Sequence, residues 1–143
     1  MKTYLHVGLA GAAGAVTRYS LGLLFTQVYP SPMPWGTLLI NLSGSFLLGL
    51  LTGLGLYRGV IPPAWRAPLT AGFLGAYTTF STWAVDTVRL AESGHWSYAA
   101  ANVALSILLG LPLARLGLHI SCPLREQPGP GPSPARPAPS RPE

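Results

Sequence analysis

Charge is what this sequence has least of. Only 9% of its 143 residues are charged, and just four are acids: Asp86, Glu92, Glu126 and Glu143. A soluble domain carries charge on about a quarter of its residues. So little charge cannot cover a water-facing surface, which excludes an ordinary soluble domain and makes the bilayer the natural solvent. Cys122 is the single cysteine, which excludes an intrachain disulfide and a cysteine-based metal site. The three histidines, His6, His95 and His119, stand far apart, as helix-end residues do, without the spacing of metal ligands. The sequence has no phosphate-binding loop and no nucleophile–base constellation, so nothing suggests an enzyme.

The net charge is +5, but the basic residues are scattered. Lys2, Arg18, Arg58, Arg66, Arg89, Arg115, Arg125, Arg136 and Arg141 form no stripe interleaved with aromatics. Nucleic acid is therefore excluded as a partner. Most of these charges flank apolar runs, where membrane proteins carry their topology signals. Lys2, Arg58, Arg66, Arg115 and Arg125 fall on the side shared by the N-terminus, the second loop and the C-terminus. This places both termini in the cytoplasm of a cell-membrane protein.

What is abundant is apolar sequence, 49% of the chain, in runs long enough to span a bilayer. The expected fold is all-α, with four transmembrane helices: Leu5 to Phe25, Trp35 to Tyr57, a third span between Pro68 and Leu90, and Trp96 to Leu118. The first run begins like a signal peptide, with Ala10-Gly11-Ala12 as a small-residue site, but its apolar character continues through Phe25, so it reads as a retained helix. Residues 1–121 form the transmembrane unit. Residues 122–143 are proline-rich and polar, and they read as a disordered tail. Ala10 and Gly14, Gly11 and Ala15, and Ser45, Gly49 and Gly53 recur four apart, the spacing of close helix packing in lipid. Four short helices enclose little volume, so a pathway through them needs a second copy.

The third span carries the chemistry. Arg66 and Arg89 bracket it, and their midpoint falls at Tyr77 and Thr78, the depth at which polar residues cost most. Irregular backbone survives there only where protein or a watery cavity satisfies it. Gly75 permits a break near the bilayer midplane, and the carbonyls of Gly75 and Thr78 are candidate cation ligands of the kind broken helices expose. Thr78, Thr79, Ser81 and Thr82 follow; hydroxyls at such positions either line a path or bond back to their own helix. Asn41 sits inside the second span with an amide that can donate two hydrogen bonds, and Ser106 inside the fourth, one turn beyond Asn102. Uncharged donors suit a desolvated anion, because they replace water without trapping the ion. Phe80 and Trp83 share a helical face, and aromatic edges carry positive potential; ordinary packing is the plainer account of the pair. No acid lies at mid-span, whereas proton-coupled transporters use one as a relay. Passive conduction fits better than pumping.

At these residues the chain resembles the Fluc, or CrcB, family of fluoride-exporting channels. The main motif is Gly75-Ala76-Tyr77-Thr78-Thr79-Phe80-Ser81-Thr82-Trp83, similar to the family's Gly-x-x-Thr-Thr-Phe-Ser-Thr-Phe. Support comes from Gly11-Ala12-Ala13-Gly14-Ala15-Val16-Thr17-Arg18-Tyr19, from Gly36-Thr37-Leu38-Leu39-Ile40-Asn41-Leu42-Ser43-Gly44 and from Asn102-Val103. The resemblance covers about residues 4 to 118. It implies an antiparallel homodimer of dual topology with two fluoride pores and one central structural sodium ion, held by the carbonyls of Gly75 and Thr78. It implies a pore lined by Asn41, Phe80, Ser81, Thr82 and Ser106, with Thr37 nearby, and Arg18 lending positive charge to a vestibule. Trp83 replaces the family's usual second phenylalanine, and its ring edge takes that place in the path. The charge bias is awkward for identical chains inserting both ways, and pairing with an oppositely oriented paralogue is the alternative. Two other readings are a small multidrug transporter, which needs a glutamate that residues 5–25 lack, and a non-conducting subunit that binds through its tail.

Overall fold

A computed structural model of the protein describes residues 2–121. The expected tail, with Cys122, lies outside the described residues. Among those described, every regular element is helical. Helix α1 spans Lys2–Val28, α2 Trp35–Leu56 and α6 Trp96–Ser121, and all three are long and apolar enough to cross a membrane. The first and last run a turn or so past their apolar stretches. A bilayer-spanning helix needs about 20 residues, so the extra turns extend toward the polar boundary.

The remaining hydrophobic segment is not one continuous helix. It opens with a short α3, Pro63–Ala67, seeded by prolines at its first turn, where a missing N–H costs nothing. A wider, π-helical stretch follows at Pro68–Leu74. There the Gly75 N–H reaches back to the Thr70 carbonyl, five residues earlier. One more turn, α4, covers Gly75–Tyr77. Thr78 and Thr79 then leave the helical conformation, with φ/ψ of −83°/158° and −150°/123°. Helix α5 restarts at Phe80 and ends at Glu92.

Two glycines close the helix ends. Gly59 (φ 64°) lets the Val60 N–H reach the Leu54 carbonyl at 3.0 Å. Gly94 (φ 80°) does the same for His95 and Leu90 at 2.8 Å. In both cases a left-handed residue satisfies carbonyls that a helix end would leave open. The second closure folds α6 back antiparallel to α5.

Packing follows small residues. Gly49 sits against the Ala114 carbonyl, Gly117 against the Phe46 carbonyl, and Gly53 against the Ser121 hydroxyl, so α2 and α6 meet backbone to backbone. On the other side of the molecule Gly14 of α1 faces the Phe73 carbonyl. Gly72 there has room for no Cβ, since one would lie 2.8 Å from the Val7 carbonyl oxygen. Apolar attraction between helices vanishes in lipid, so such close approach supplies the association. Helix α2 is central: 39% of its apolar window is buried, against 6% for α1 and for α6. Its Leu38 and Leu42 join Met33, Leu105 and Leu113, while Ile40 joins Leu74, Tyr77 and Phe73.

These seams make a direct prediction. Gly49→Val drives a branched side chain into the Ala114 backbone, which cannot yield as a flexible side chain would. Overpacking of this kind costs about 1–3 kcal/mol. The variant is expected to unfold at lower temperature in detergent, and an unchanged midpoint would show that α2 and α6 can separate freely.

Candidate functional site

Two extended residues inside a hydrophobic segment leave backbone groups without their helical partners, and each must be accounted for. Asn41 handles Thr79 from both sides. Its Nδ2 donates to the Thr79 carbonyl at 2.9 Å, and its Oδ1 accepts the Thr79 N–H at 2.8 Å. The two bonds fix which end of the amide is oxygen, because a backbone N–H can only donate. Arg18 takes a third group: its Nε donates to the Ala76 carbonyl at 3.0 Å. The Thr79 side chain caps α5 by accepting from the Thr82 N–H at 3.1 Å, as an N-cap threonine does.

The carbonyls from Gly75 to Thr78 lose their usual partners in this arrangement, and Arg18 takes that of Ala76. In a continuous helix the Gly75 carbonyl would accept from Thr79 N–H, which Asn41 has taken. The Thr78 carbonyl would accept from Thr82 N–H, which the Thr79 hydroxyl has taken. These are the two carbonyls that the sequence singles out as cation ligands.

The other residues singled out in the sequence separate into two groups around the clamp. Asn41, Phe80, Trp83 and Ser106 line a 430 Å³ cavity together with Gly75, Thr78 and Thr79. Arg18, Thr37 and Thr82 line a smaller one of 250 Å³, which Thr79 also borders. Ser81 lines neither; it is exposed, and its hydroxyl lies 3.2 Å from that of Thr79. Phe80 is 77% exposed and leans on Trp83, with ring centroids 5.2 Å apart at 39°.

Most hydroxyls near the clamp bond back along the chain. Thr78 donates to the Leu74 carbonyl at 3.0 Å, Ser45 to Asn41 at 2.9 Å and Ser106 to Asn102 at 2.7 Å. Thr78 is thus one hydroxyl of the third span that bonds back to its own helix. Asn41 likewise has one of its two donors committed to Thr79.

One contact escapes sequence reasoning. Thr37 donates to Asp86 Oδ2 at 2.7 Å, bringing an acid to the border of the group. Asp86 and Thr82 line a third cavity of 510 Å³ with Thr37. The available signal was the four-residue spacing of Thr82 and Asp86, which puts both on one face of α5.

Residues 5–118 match the family model described as CrcB-like protein, Camphor Resistance (CrcB). Three curated relatives are close in sequence. Two come from Symbiobacterium thermophilum. "Fluoride-specific ion channel FluC 2" is 47% identical over 80% of this chain and 94% of its own length. "Fluoride-specific ion channel FluC 1" is 47% identical over 82% and 96%. "Fluoride-specific ion channel FluC" of Shewanella oneidensis is 44% identical over 84% and 96%. With three membrane-crossing helices and a match across nearly all its described residues, the chain is a multi-pass membrane protein that belongs to the CrcB family.

Proposed function

We propose that the chain is the subunit of a fluoride-selective channel that passively exports fluoride from the cytoplasm and so limits its toxicity. It is a conductor rather than an enzyme, in keeping with relatives named as ion channels. The observation that carries the reading is the clamp around Thr79. A membrane segment gives up its helix at two residues, and neighbouring helices supply Asn41 and Arg18 to hold the opened backbone in place. Irregular backbone in a bilayer is tolerated only where it lines a cavity or is buried in protein. In this reading the interruption lies near the bilayer midplane, and the path runs past Thr37, Asn41, Phe80, Ser81, Thr82, Trp83 and Ser106, with Arg18 at a vestibule.

The freed carbonyls of Gly75 and Thr78 fit a sodium ion. They are neutral, hard oxygen donors whose helical partners are otherwise engaged, the kind of ligand that interrupted membrane helices offer to sodium. The ion would neutralise their partial charges and tie chains together. Two carbonyls are fewer than sodium takes, so a second copy completes the set. The outward-facing Phe80, bare on a single chain, points the same way. We therefore read the working unit as an antiparallel homodimer in the bilayer.

Pairing with an oppositely oriented paralogue is the second reading. It is favoured by the uneven placement of Arg58, Arg66 and Arg115 against Arg89, and by the two Symbiobacterium thermophilum relatives numbered 1 and 2. Against a small multidrug transporter, α1 carries no glutamate.

The test is efflux from proteoliposomes containing the purified protein, followed with a fluoride electrode beside chloride-loaded controls. Rapid loss of fluoride but not chloride is expected. If neither ion moves from vesicles holding this chain alone, the homodimer fails, and co-reconstitution with a paralogue decides whether the channel reading fails with it.

A further inference from the structure

Hydrogen-bond donors around the 430 Å³ cavity are fewer than its polar lining suggests. Ser45, Thr78 and Ser106 give their hydrogens to carbonyls of Asn41, Leu74 and Asn102. Thr70 gives its own to Arg66, and Thr79 to the Thr82 hydroxyl. A hydroxyl so committed can border the path but donates to an anion only by giving up that bond. Two side-chain donors remain. One is the second Nδ2 hydrogen of Asn41, since the first is bound to Thr79. The other belongs to the lining residue Trp83, whose indole N–H is buried without any partner and is not itself open to the cavity.

An N–H buried without a partner in a native protein needs an explanation. In a bilayer no bulk water stands ready to satisfy it. The register of α5 and α6 indicates where it lies. Asn102 Nδ2 donates to the Thr87 hydroxyl at 2.9 Å, pinning those two levels together. One turn along each antiparallel helix brings Trp83 level with Ser106, and both line the cavity with Asn41 and Phe80.

We propose that the Trp83 indole N–H is a hydrogen-bond donor to the permeating halide, a ligand that phenylalanine at this position cannot supply. The inference rests on the channel reading above and names one of its specificity-determining contacts. The nitrogen is covered in the resting chain, so the ion reaches it only when the indole swings, changing its 39° tilt against Phe80. A small, hard anion that has shed its water draws a stronger N–H bond than a large one does. The contact therefore returns more to fluoride than to chloride, offsetting part of fluoride's larger dehydration cost.

The test is solution NMR of the full chain in lipid nanodiscs, with tryptophan labelled at the indole nitrogen. The Trp83 resonance is assigned by its loss in Trp83→Phe. Should that variant not fold, Trp35→Phe, Trp65→Phe and Trp96→Phe assign it by elimination. Titration with sodium fluoride is expected to move the Trp83 N–H proton downfield in a saturable way, while sodium chloride at equal ionic strength leaves it in place. A resonance that ignores fluoride, or answers both salts alike, overturns the proposal. Efflux measured on the same preparation separates the two claims. Intact fluoride efflux with a silent Trp83 removes this ligand and keeps the channel, whereas absent efflux with a silent Trp83 removes this ligand and the homodimer, and co-reconstitution with a paralogue decides the channel.

Discussion

Replacing Asn41 with leucine abolishes fluoride efflux and lowers the thermal midpoint of the purified protein. Leucine has nearly the same shape but leaves the Thr79 N–H unpaired and takes the Nδ2 bond from the Thr79 carbonyl, which keeps only the first bond of α5. A buried backbone group left without a partner costs about 1–3 kcal/mol. The lost carbonyl bond adds about 1 kcal/mol, and together these are a sizeable part of what holds a small protein together. Without the clamp the Thr79 N–H is free to return to the Gly75 carbonyl, straightening the segment and erasing the site. Asn41→Asp is expected to behave differently. Its carboxylate still accepts from the Thr79 N–H, so the chain stays closer to wild-type stability than the leucine variant does. Conduction is lost all the same, because a negative charge beside the path repels the anion. Thermal melts with parallel efflux assays on both variants separate these effects. A leucine variant as stable as wild type would show that the clamp holds nothing.

Phe80→Ile gives the opposite combination, a folded protein that conducts far more slowly. At 77% exposure, Phe80 contributes little to the packing of its own chain. Its main intrachain aromatic contact is the tilted pair with Trp83, worth about 0.5–1.5 kcal/mol. The midpoint should therefore barely move. Efflux should fall by about 10- to 100-fold, the equivalent of losing about 1.4–2.8 kcal/mol of stabilisation for the ion in transit, because isoleucine has no positive ring edge. Undiminished efflux would take Phe80 out of the pathway. The two variants divide the site into a structural half, where loss of function follows loss of fold, and a conducting half, where it does not.

Particular residues show how far the sequence could be read. The runs ending near Phe25, Leu56 and Leu118 announce three helices, because apolar length is a one-dimensional property. Gly75 and the hydroxyl run after it mark where the remaining segment changes character. The stripes at Gly14, Gly49 and Gly53 mark faces that make backbone contact. What the sequence leaves open is rotation. A helix that is apolar all round does not declare which side faces which neighbour, so the bond between Asn41 and Thr79, 38 residues apart, has no local trace. The same holds for Thr37 and Asp86, 49 residues apart. Side-chain commitment is hidden as well. Ser106 and Thr78 look like anion donors in a string of letters, and only their geometry shows the hydrogens spent on carbonyls one turn back. The wide turns from Pro68 to Leu74 lie where α1 brings Val7 and Gly14 against Gly72 and Phe73.

The order of these seams along the chain constrains how the protein can be made. Helix α1 makes its close backbone seam with Gly72 and Phe73, meeting the α2 that follows it directly only where Gly22 and Phe25 touch Gly36, and the glycine face of α2 fits α6. The partners are interleaved, so no complete seam exists while only the first two segments have left the ribosome. The third segment closes the first seam. The face carrying Gly49 and Gly53 still has nothing to meet until Ala114, Gly117 and Ser121 have been synthesised. A product cut short after Glu92 therefore presents bare backbone to lipid along the middle helix, the kind of unfinished surface that membrane quality-control proteases remove.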